Sequence, residues 1–218
     1  MLNISEIFGP TIQGEGPLVG HPTIFLRVYG CNLDCSWCDS KYAIRGGDNS
    51  KQSIEQIVNK IQKLDRNDCE DVTITGGEPM LYIGKLIDVM KKIPHYSFHF
   101  ETNGTIFPAP YLGALSDLNV SYIVSPKLHA ICDDYVEQLK HWADFYDVCF
   151  KFVYENADSV TQIHQLMEKI PSVPIYIMPE GITFNQKKYD EAATVCFENN
   201  FILSPRLHNI IWGNTRGV

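Results

Sequence analysis

The chain has 218 residues, the size of one ordinary domain, and can bury a core without covalent staples. Its 18 Lys and Arg against 26 Asp and Glu leave a net charge of −8, which argues against nucleic acid as a direct partner because holding phosphate backbones needs clustered positive charge. Hydrophobic residues at 44% and charged residues at 20% fit a folded soluble chain; the start Met1-Leu2-Asn3-Ile4-Ser5-Glu6 lacks the basic and apolar regions of a signal peptide, and no apolar run approaches ~18 residues, so a cytoplasmic protein with no membrane partner is expected.

In chain order, short apolar runs alternate with stretches of helical periodicity, the sequence form of repeated β-α units around a parallel sheet. Residues 23–29 read as a strand that runs into Gly30-Cys31. Ser53-Ile54-Glu55-Gln56 is a capping box opening a helix to about Leu64, with Ile54, Ile57, Val58, Ile61 and Leu64 on the face that packs on the sheet. Strand 71–75 runs into Gly76-Gly77-Glu78-Pro79, and a helix follows over 81–93. Strand 96–101 runs into Thr102-Asn103-Gly104-Thr105, after which 107–115 is ambiguous because Pro108 and Pro110 limit regular helix. Strand 120–124 runs into Ser125-Pro126-Lys127. Helix 133–143, strand 148–154, helix 158–170, strand 175–178, helix 186–199 and strand 201–203 complete the pattern.

These repeats predict a single α/β domain over residues 1–218, an incomplete (β/α) barrel of about six parallel strands, because a closed eight-stranded barrel takes roughly 250 residues. Polar chemistry in such folds collects where strands end at their carboxyl edge. Four strand ends here carry Gly, Cys, Glu, Asn, Ser or Lys clusters facing one mouth.

Seven cysteines, an odd number in a chain with no sign of export, make a disulfide framework a poor reading. Cys31, Cys35 and Cys38 fall within eight residues, whereas Cys69, Cys132, Cys149 and Cys196 are scattered. The spacing C-x3-C-x2-C can wrap a loop around an iron–sulfur cluster, which normally takes four thiolates. The fourth is missing locally, and an iron without a protein ligand is an open coordination position, as in catalytic metal sites. The alternative is a zinc ion held with a histidine in a non-catalytic interaction module, although the nearby His21 precedes the strand and not the loop.

The loop Gly30-Cys31-Asn32-Leu33-Asp34-Cys35-Ser36-Trp37-Cys38-Asp39-Ser40, with an aromatic residue before the third cysteine and Gly76-Gly77-Glu78-Pro79 after the next strand, resembles the radical S-adenosylmethionine enzymes. The resemblance implies a [4Fe-4S] cluster on Cys31, Cys35 and Cys38, with S-adenosylmethionine on the open iron as the source of a hydrogen-abstracting radical; a flavodoxin- or ferredoxin-type protein would supply the electron. It also implies that Trp37, Cys38 and Asp39 line the cofactor, that its amino group sits near Gly77 with Glu78 helping, and that Ser125, Pro126 and Lys127 touch its other side. Asn103 reads equally as a cofactor contact or a turn former. The glycine pair has its own physical reading, since residues without Cβ let a backbone approach a ligand closely; the alternative is a tight strand-to-helix turn.

Within those enzymes the chain resembles the 7-carboxy-7-deazaguanine synthase family nearly end to end, from Phe8-Gly9-Pro10-Thr11-Ile12-Gln13-Gly14-Glu15-Gly16 through Ser40 to Arg206-Leu207-His208. That family rearranges 6-carboxy-5,6,7,8-tetrahydropterin with loss of ammonia on the way to queuosine and related tRNA bases, and its members are commonly homodimers. Arg27 interrupts an apolar strand and needs an anion, either a substrate carboxylate in bidentate contact or an internal Asp or Glu. Gln13 and Glu15 on a glycine-flanked loop offer acceptors and a donor to a pterin edge, and the family places Ile12, Gln13 and Gly14 against the substrate. Ser40 stands where the family has a hydroxyl on Mg²⁺, an ion that substrate oxygens and water must help to hold; an ordinary loop hydrogen bond is the other reading. Thr75 resembles a substrate contact, and His208 and the terminal carboxylate at Val218 are further candidates. The other histidines receive no role, and Phe98, Phe100, Phe150 and Phe152 read as core. A glycyl-radical enzyme activating enzyme shares the cysteine spacing, but it needs a wide mouth for a protein loop, whereas Arg27 with Gln13 and Glu15 suits a small anionic heterocycle.

Overall fold

A strand with one apolar and one polar face is satisfied only if a helix covers the first face and something polar fills the second. The computed structural model, which describes residues 1–66 and 68–218, meets that demand with one sheet. Its strands are β1 (Leu2–Ile12), β2 (Pro22–Val28), β3 (Ser50–Gln52), β4 (Asp71–Gly76), β5 (Ser97–Thr102), β6 (Val120–Val124), β7 (Val148–Tyr154), β8 (Ile175–Pro179) and β9 (Ile202–Leu203). They lie in the order β3-β1-β2-β4-β5-β6-β7-β8-β9. From β2 to β9 every pairing is parallel, while β1 runs antiparallel to both β2 and β3.

Helices α1 (Ile54–Leu64), α2 (Ile83–Met90), α3 (Leu112–Leu115), α4 (Asp133–Ala143), α5 (Ala157–Met167), α6 (Gln186–Asn199) and α7 (Leu207–Trp212) fill the connections and the end of the chain. The capping box of α1 forms as the sequence requires: the Gln56 N–H donates to Ser53 Oγ at 3.2 Å and the Ser53 N–H to Gln56 Oε1 at 2.8 Å. Ile57, Val58 and Ile61 on its inner face are buried. Helix α1 packs on β1, α4 and α5 on β7, and α6 on β8 and β9. The helix-facing side of the sheet is apolar, with Ile24, Leu26, Val28, Val72, Ile74, Phe98, Phe100, Phe150 and Phe152 all buried. Trp142 of α4 anchors the aromatic core edge-on to Phe107 and tilted against Tyr122.

The parallel strands number seven where about six were expected, β9 being only two residues long. Strand β1 was absent from the sequence reading for a physical reason. Its pairing with β2 shifts register between Ile4 and Glu6 and again between Phe8 and Thr11, so the period-two alternation is broken twice. Strand β3 is three polar residues and carries no hydrophobic signal. The ambiguous stretch 107–115 is a 3-10 turn at Ala109–Tyr111 followed by α3.

The glycine pair after β4 is required by packing. A Cβ at Gly76 would overlap the Val28 carbonyl, and one at Gly77 the Gly30 carbonyl, which also accepts the Glu78 N–H at 2.9 Å. The end of β4 is thus pressed against the residue that launches the cysteine loop. Gly77→Ala is expected to cost about 1–3 kcal/mol of stability through this overpacking, read as a lower denaturation midpoint; an unchanged midpoint would mean that the turn relaxes freely.

Candidate active site

Because side chains alternate across a strand, the residues between the apolar ones on β2, β4, β5 and β7 face the opposite, concave side. Arg27 on β2 is in register with Thr75 on β4, and the Thr75 hydroxyl donates to Glu101 Oε2 on β5 at 2.8 Å. Lys151 on β7 reaches Glu101 Oε1 at 3.7 Å. These side chains line a cavity of about 460 Å³ at the carboxyl end of the sheet, as do Cys31, Cys35 and Cys38. One mouth therefore holds the three thiols and the charged row.

The loop after β1 seals that mouth from the side. The Gly16 N–H donates to Ser204 Oγ at 2.8 Å and the Leu207 N–H to Gly14 O at 2.9 Å, tying the loop to the segment after β9. Glu15 sits between Lys151 Nζ at 2.6 Å and Arg206 Nε at 3.1 Å, with His208 Nε2 at 3.9 Å. Burial alone would raise the Glu15 carboxyl, but Lys151 and Arg206 outweigh it and hold the group well below the usual carboxylate range. Burial likewise opposes the Lys151 charge, and Glu15 and Glu101 override it and raise its pKa. Burial lowers the pKa of His208, with Glu15 partly opposing.

Two expected substrate contacts are already engaged by the protein. The Gln13 side-chain oxygen accepts the N–H groups of Gly14 at 2.7 Å and Glu15 at 3.2 Å, and its amide nitrogen donates to Glu101 at 3.4 Å, so Gln13 shapes its own loop and has no acceptor left for a pterin edge. Glu15 lines the cavity as the counter-ion of Lys151 and Arg206. For Arg27 the internal partner exists: its Nε donates to Glu6 Oε1 at 2.9 Å, an oxygen that also accepts the Tyr42 hydroxyl at 2.9 Å. Its terminal N–H reaches Ser40 Oγ only at 3.4 Å, leaving part of the guanidinium fork for a ligand. Ser40 in turn donates to Asp39 at 3.0 Å, and Asp39 pairs with Arg206. Ile12, Gly14, Thr75, His208 and Val218 line the cavity.

In the cysteine loop, the Leu33 N–H points at Cys31 Sγ at 3.4 Å and the Cys38 N–H donates to Cys35 O at 3.3 Å. The Asn103 amide donates to Asn32 Oδ1 at 3.0 Å and lies 3.8 Å from Cys31 Sγ, while Asn32 donates to Thr105 at 2.7 Å. Asn103 is therefore a brace for the loop as well as a wall of the cavity. Trp37 meets His129 edge-on, and Lys127 Nζ lies 5.4 Å from the Trp37 ring centroid. Gly77, Asp39 and Ser125 line the cavity, whereas Pro126 and Glu78 do not. The Glu78 carboxylate is buried and accepts Thr102 Oγ1 at 2.7 Å, the Asn103 N–H at 2.7 Å and the Met80 N–H at 2.9 Å. It fastens two strand ends together, and burial pushes its pKa up despite those donors.

The donor set fits an iron–sulfur cluster. All seven cysteines are free thiols. Burial pushes Cys31, Cys35 and Cys38 up; Cys31 is raised further by the other two, and Lys127 favours the thiolates of Cys35 and Cys38. Such thiols ionise when a cationic centre arrives. Among the described residues no three His, Cys, Asp or Glu side chains converge on a single-ion position. Three sulfurs spread around one mouth suit a cluster that takes one thiolate per iron better than one tetrahedral zinc.

Several functional residues carry signals that sequence reading passed over. Lys151 interrupts Val148-Cys149-Phe150-Lys151-Phe152 as Arg27 interrupts its own strand, and Glu101 ends an apolar strand. Glu6 lies on the unread β1, while Tyr42 and Arg216 follow no pattern. His99, given no role, hydrogen-bonds Asp71 at 2.8 Å and Ser121 at 2.6 Å at the opposite end of the sheet.

The model of the Radical SAM superfamily matches residues 26–169. The 7-carboxy-7-deazaguanine synthase of Pyrobaculum aerophilum is 31% identical over 232 aligned residues, covering 99% of this chain and 97% of its own. That of Bacillus subtilis (strain 168) is 30% identical over 243, covering 99% and 98%. The crystal structure of QueE from Escherichia coli superposes with a TM-score of 0.72 over 95% of this chain and 94% of that one, at 23% identity, a likeness of fold.

Glu15→Gln leaves Lys151 and Arg206 short of an anion and is expected to lower stability at neutral pH by about 3–5 kcal/mol. The Glu15 pKa is depressed in the fold, so its contribution is complete above its ordinary value of 4.5 and fades as pH falls through the lower folded value. Urea unfolding at neutral pH and at about pH 3.5 should therefore show a gap between parent and variant that narrows in acid. An equal gap at both pH values would contradict the assignment.

Proposed function

The chain belongs to the radical S-adenosylmethionine superfamily and, within it, to the 7-carboxy-7-deazaguanine synthase family, and on that premise we propose that it rearranges 6-carboxy-5,6,7,8-tetrahydropterin to 7-carboxy-7-deazaguanine with release of ammonia, a step toward queuosine. The observation that carries this reading is the single cavity lined by three thiols and by Arg27. Cys31, Cys35 and Cys38 would hold three irons of a [4Fe-4S] cluster, leaving the fourth for S-adenosylmethionine. Together these groups supply hydrogen-atom abstraction when bound.

The chain's own work is positioning and charge. Asn103 and Asn32 brace Cys31, and Glu78 fastens the ends of β4 and β5 together. Lys127, whose pKa burial lowers, lies over Trp37 and favours the Cys35 and Cys38 thiolates. The open part of the Arg27 fork receives the substrate carboxylate, and Glu101, held by Thr75 and Lys151, takes over the acceptor role that Gln13 cannot fill. Ser40 alone does not make a magnesium site, since one hydroxyl is too few oxygens for an octahedral ion. A magnesium ion would enter with substrate oxygens and water. The electron would come from a flavodoxin- or ferredoxin-type donor, and the working assembly would be a homodimer.

Anaerobically reconstituted protein given S-adenosylmethionine, a reductant and the pterin is expected to form 7-carboxy-7-deazaguanine, with Cys35→Ala abolishing it. Arg27→Ala should reduce kcat/KM at least ~30-fold, the loss of one buried charged contact. Formation of 5′-deoxyadenosine without the deazaguanine would overturn the substrate assignment.

A further inference from the structure

The cations of the mouth are unequally served. Lys151 has Glu15 and Glu101, and Arg206 has Glu15 and Asp39. At the end nearest Ser40 a single carboxylate serves two guanidinium groups. Glu6 Oε1 accepts Arg27 Nε at 2.9 Å, and Glu6 Oε2 accepts Arg216 Nε at 3.3 Å. Both guanidinium groups also gather around Tyr42: the Arg216 carbon lies 3.7 Å from the ring centroid and that of Arg27 5.9 Å. Glu101 and Asp39 also act on Arg27 through space, but Glu6 is the one carboxylate in direct contact with either guanidinium among the described residues, which leaves room for a second anion in hydrogen-bond contact with both.

The donors left over match that contact. Each arginine uses its Nε on Glu6. Among the described residues the terminal N–H groups of Arg216 have no partner, and those of Arg27 have only the 3.4 Å contact to Ser40. The guanidinium fork suits a planar carboxylate, and both side chains line the cavity. Arg216 is carried by the segment after α7, which lines the cavity through Asn214, Thr215, Gly217 and Val218. Its side chain is 49% exposed against 15% for Arg27, so it is tethered at the rim and not built into the core.

We infer that Arg216 is a second binding residue for the substrate carboxylate, acting with Arg27 across their shared Glu6. The inference rests on the pterin reading above and deepens it, because it names what lets this pocket distinguish a 6-carboxylated pterin from one without the carboxylate.

Equilibrium binding to the cluster-loaded protein, without turnover, tests it with 6-carboxypterin and pterin as the two probes. Arg216→Ala should reduce the preference for 6-carboxypterin over pterin about tenfold, the loss of a hydrogen bond to a charged group. Arg216→Lys, which keeps the charge without the fork, should recover part of it. The ratio of the two affinities is insensitive to a pocket that has merely loosened, since both probes would then weaken together. An unchanged ratio in Arg216→Ala overturns the inference and leaves the pterin reading standing. A parent protein with no preference for 6-carboxypterin overturns both.

Discussion

The Glu15 carboxylate, shared by the Lys151 ammonium and the Arg206 guanidinium, closes a barrel that strand pairing leaves open. The sheet ends at β3 on one side and at the two-residue β9 on the other, so no hydrogen-bonded ladder joins its edges. A loop that follows β1 crosses to the chain after β9 and is held there by Ser204, by the Leu207 N–H and by this ion pair. Breaking a buried pair of this kind by removing one partner strands the other charge. The mouth therefore keeps its shape because its electrostatics demand it.

The same arrangement decides where a ligand can act. Lys151 and Arg206 are each held between two protein carboxylates, which leaves the unpaired guanidinium donors with Arg27 and Arg216 around Glu6. A chain of net charge −8 thus presents an anion-seeking corner at the end of its cavity that carries Ser40. The cysteine loop is placed by a different means: Gly76 and Gly77 lie against the carbonyls of Val28 and Gly30, and the buried Glu78 fastens Thr102 and Asn103 from behind. Displacement of β4 or β5 would displace the loop as well.

Much of this was legible in the residues. Parallel strands buried on the helix side write themselves as apolar runs, and all seven parallel strands were legible to within a residue at each end. The cysteine loop was legible because its ligands are local. What escaped depends on distance or on broken periodicity. Two register shifts hide β1, and with it Glu6. Gln13 looked free because nothing in the sequence says that its amide oxygen turns back onto its own loop. That Glu78 also braces Thr102 and Asn103 comes only with the fold, because those partners lie on the next strand end. Lys151 carried the same mark as Arg27, a charge within an apolar strand, and one rule applied to both would have found it.

Three sulfurs must leave one iron corner vacant if the rest is to function. Electron–nuclear double resonance on the reduced, cluster-loaded protein, with S-adenosylmethionine isotopically labelled in its amino and carboxylate groups, reports that corner directly. Hyperfine coupling from both labels to the cluster is the predicted result. A cluster that shows no such coupling because a fourth side chain occupies the corner would contradict it.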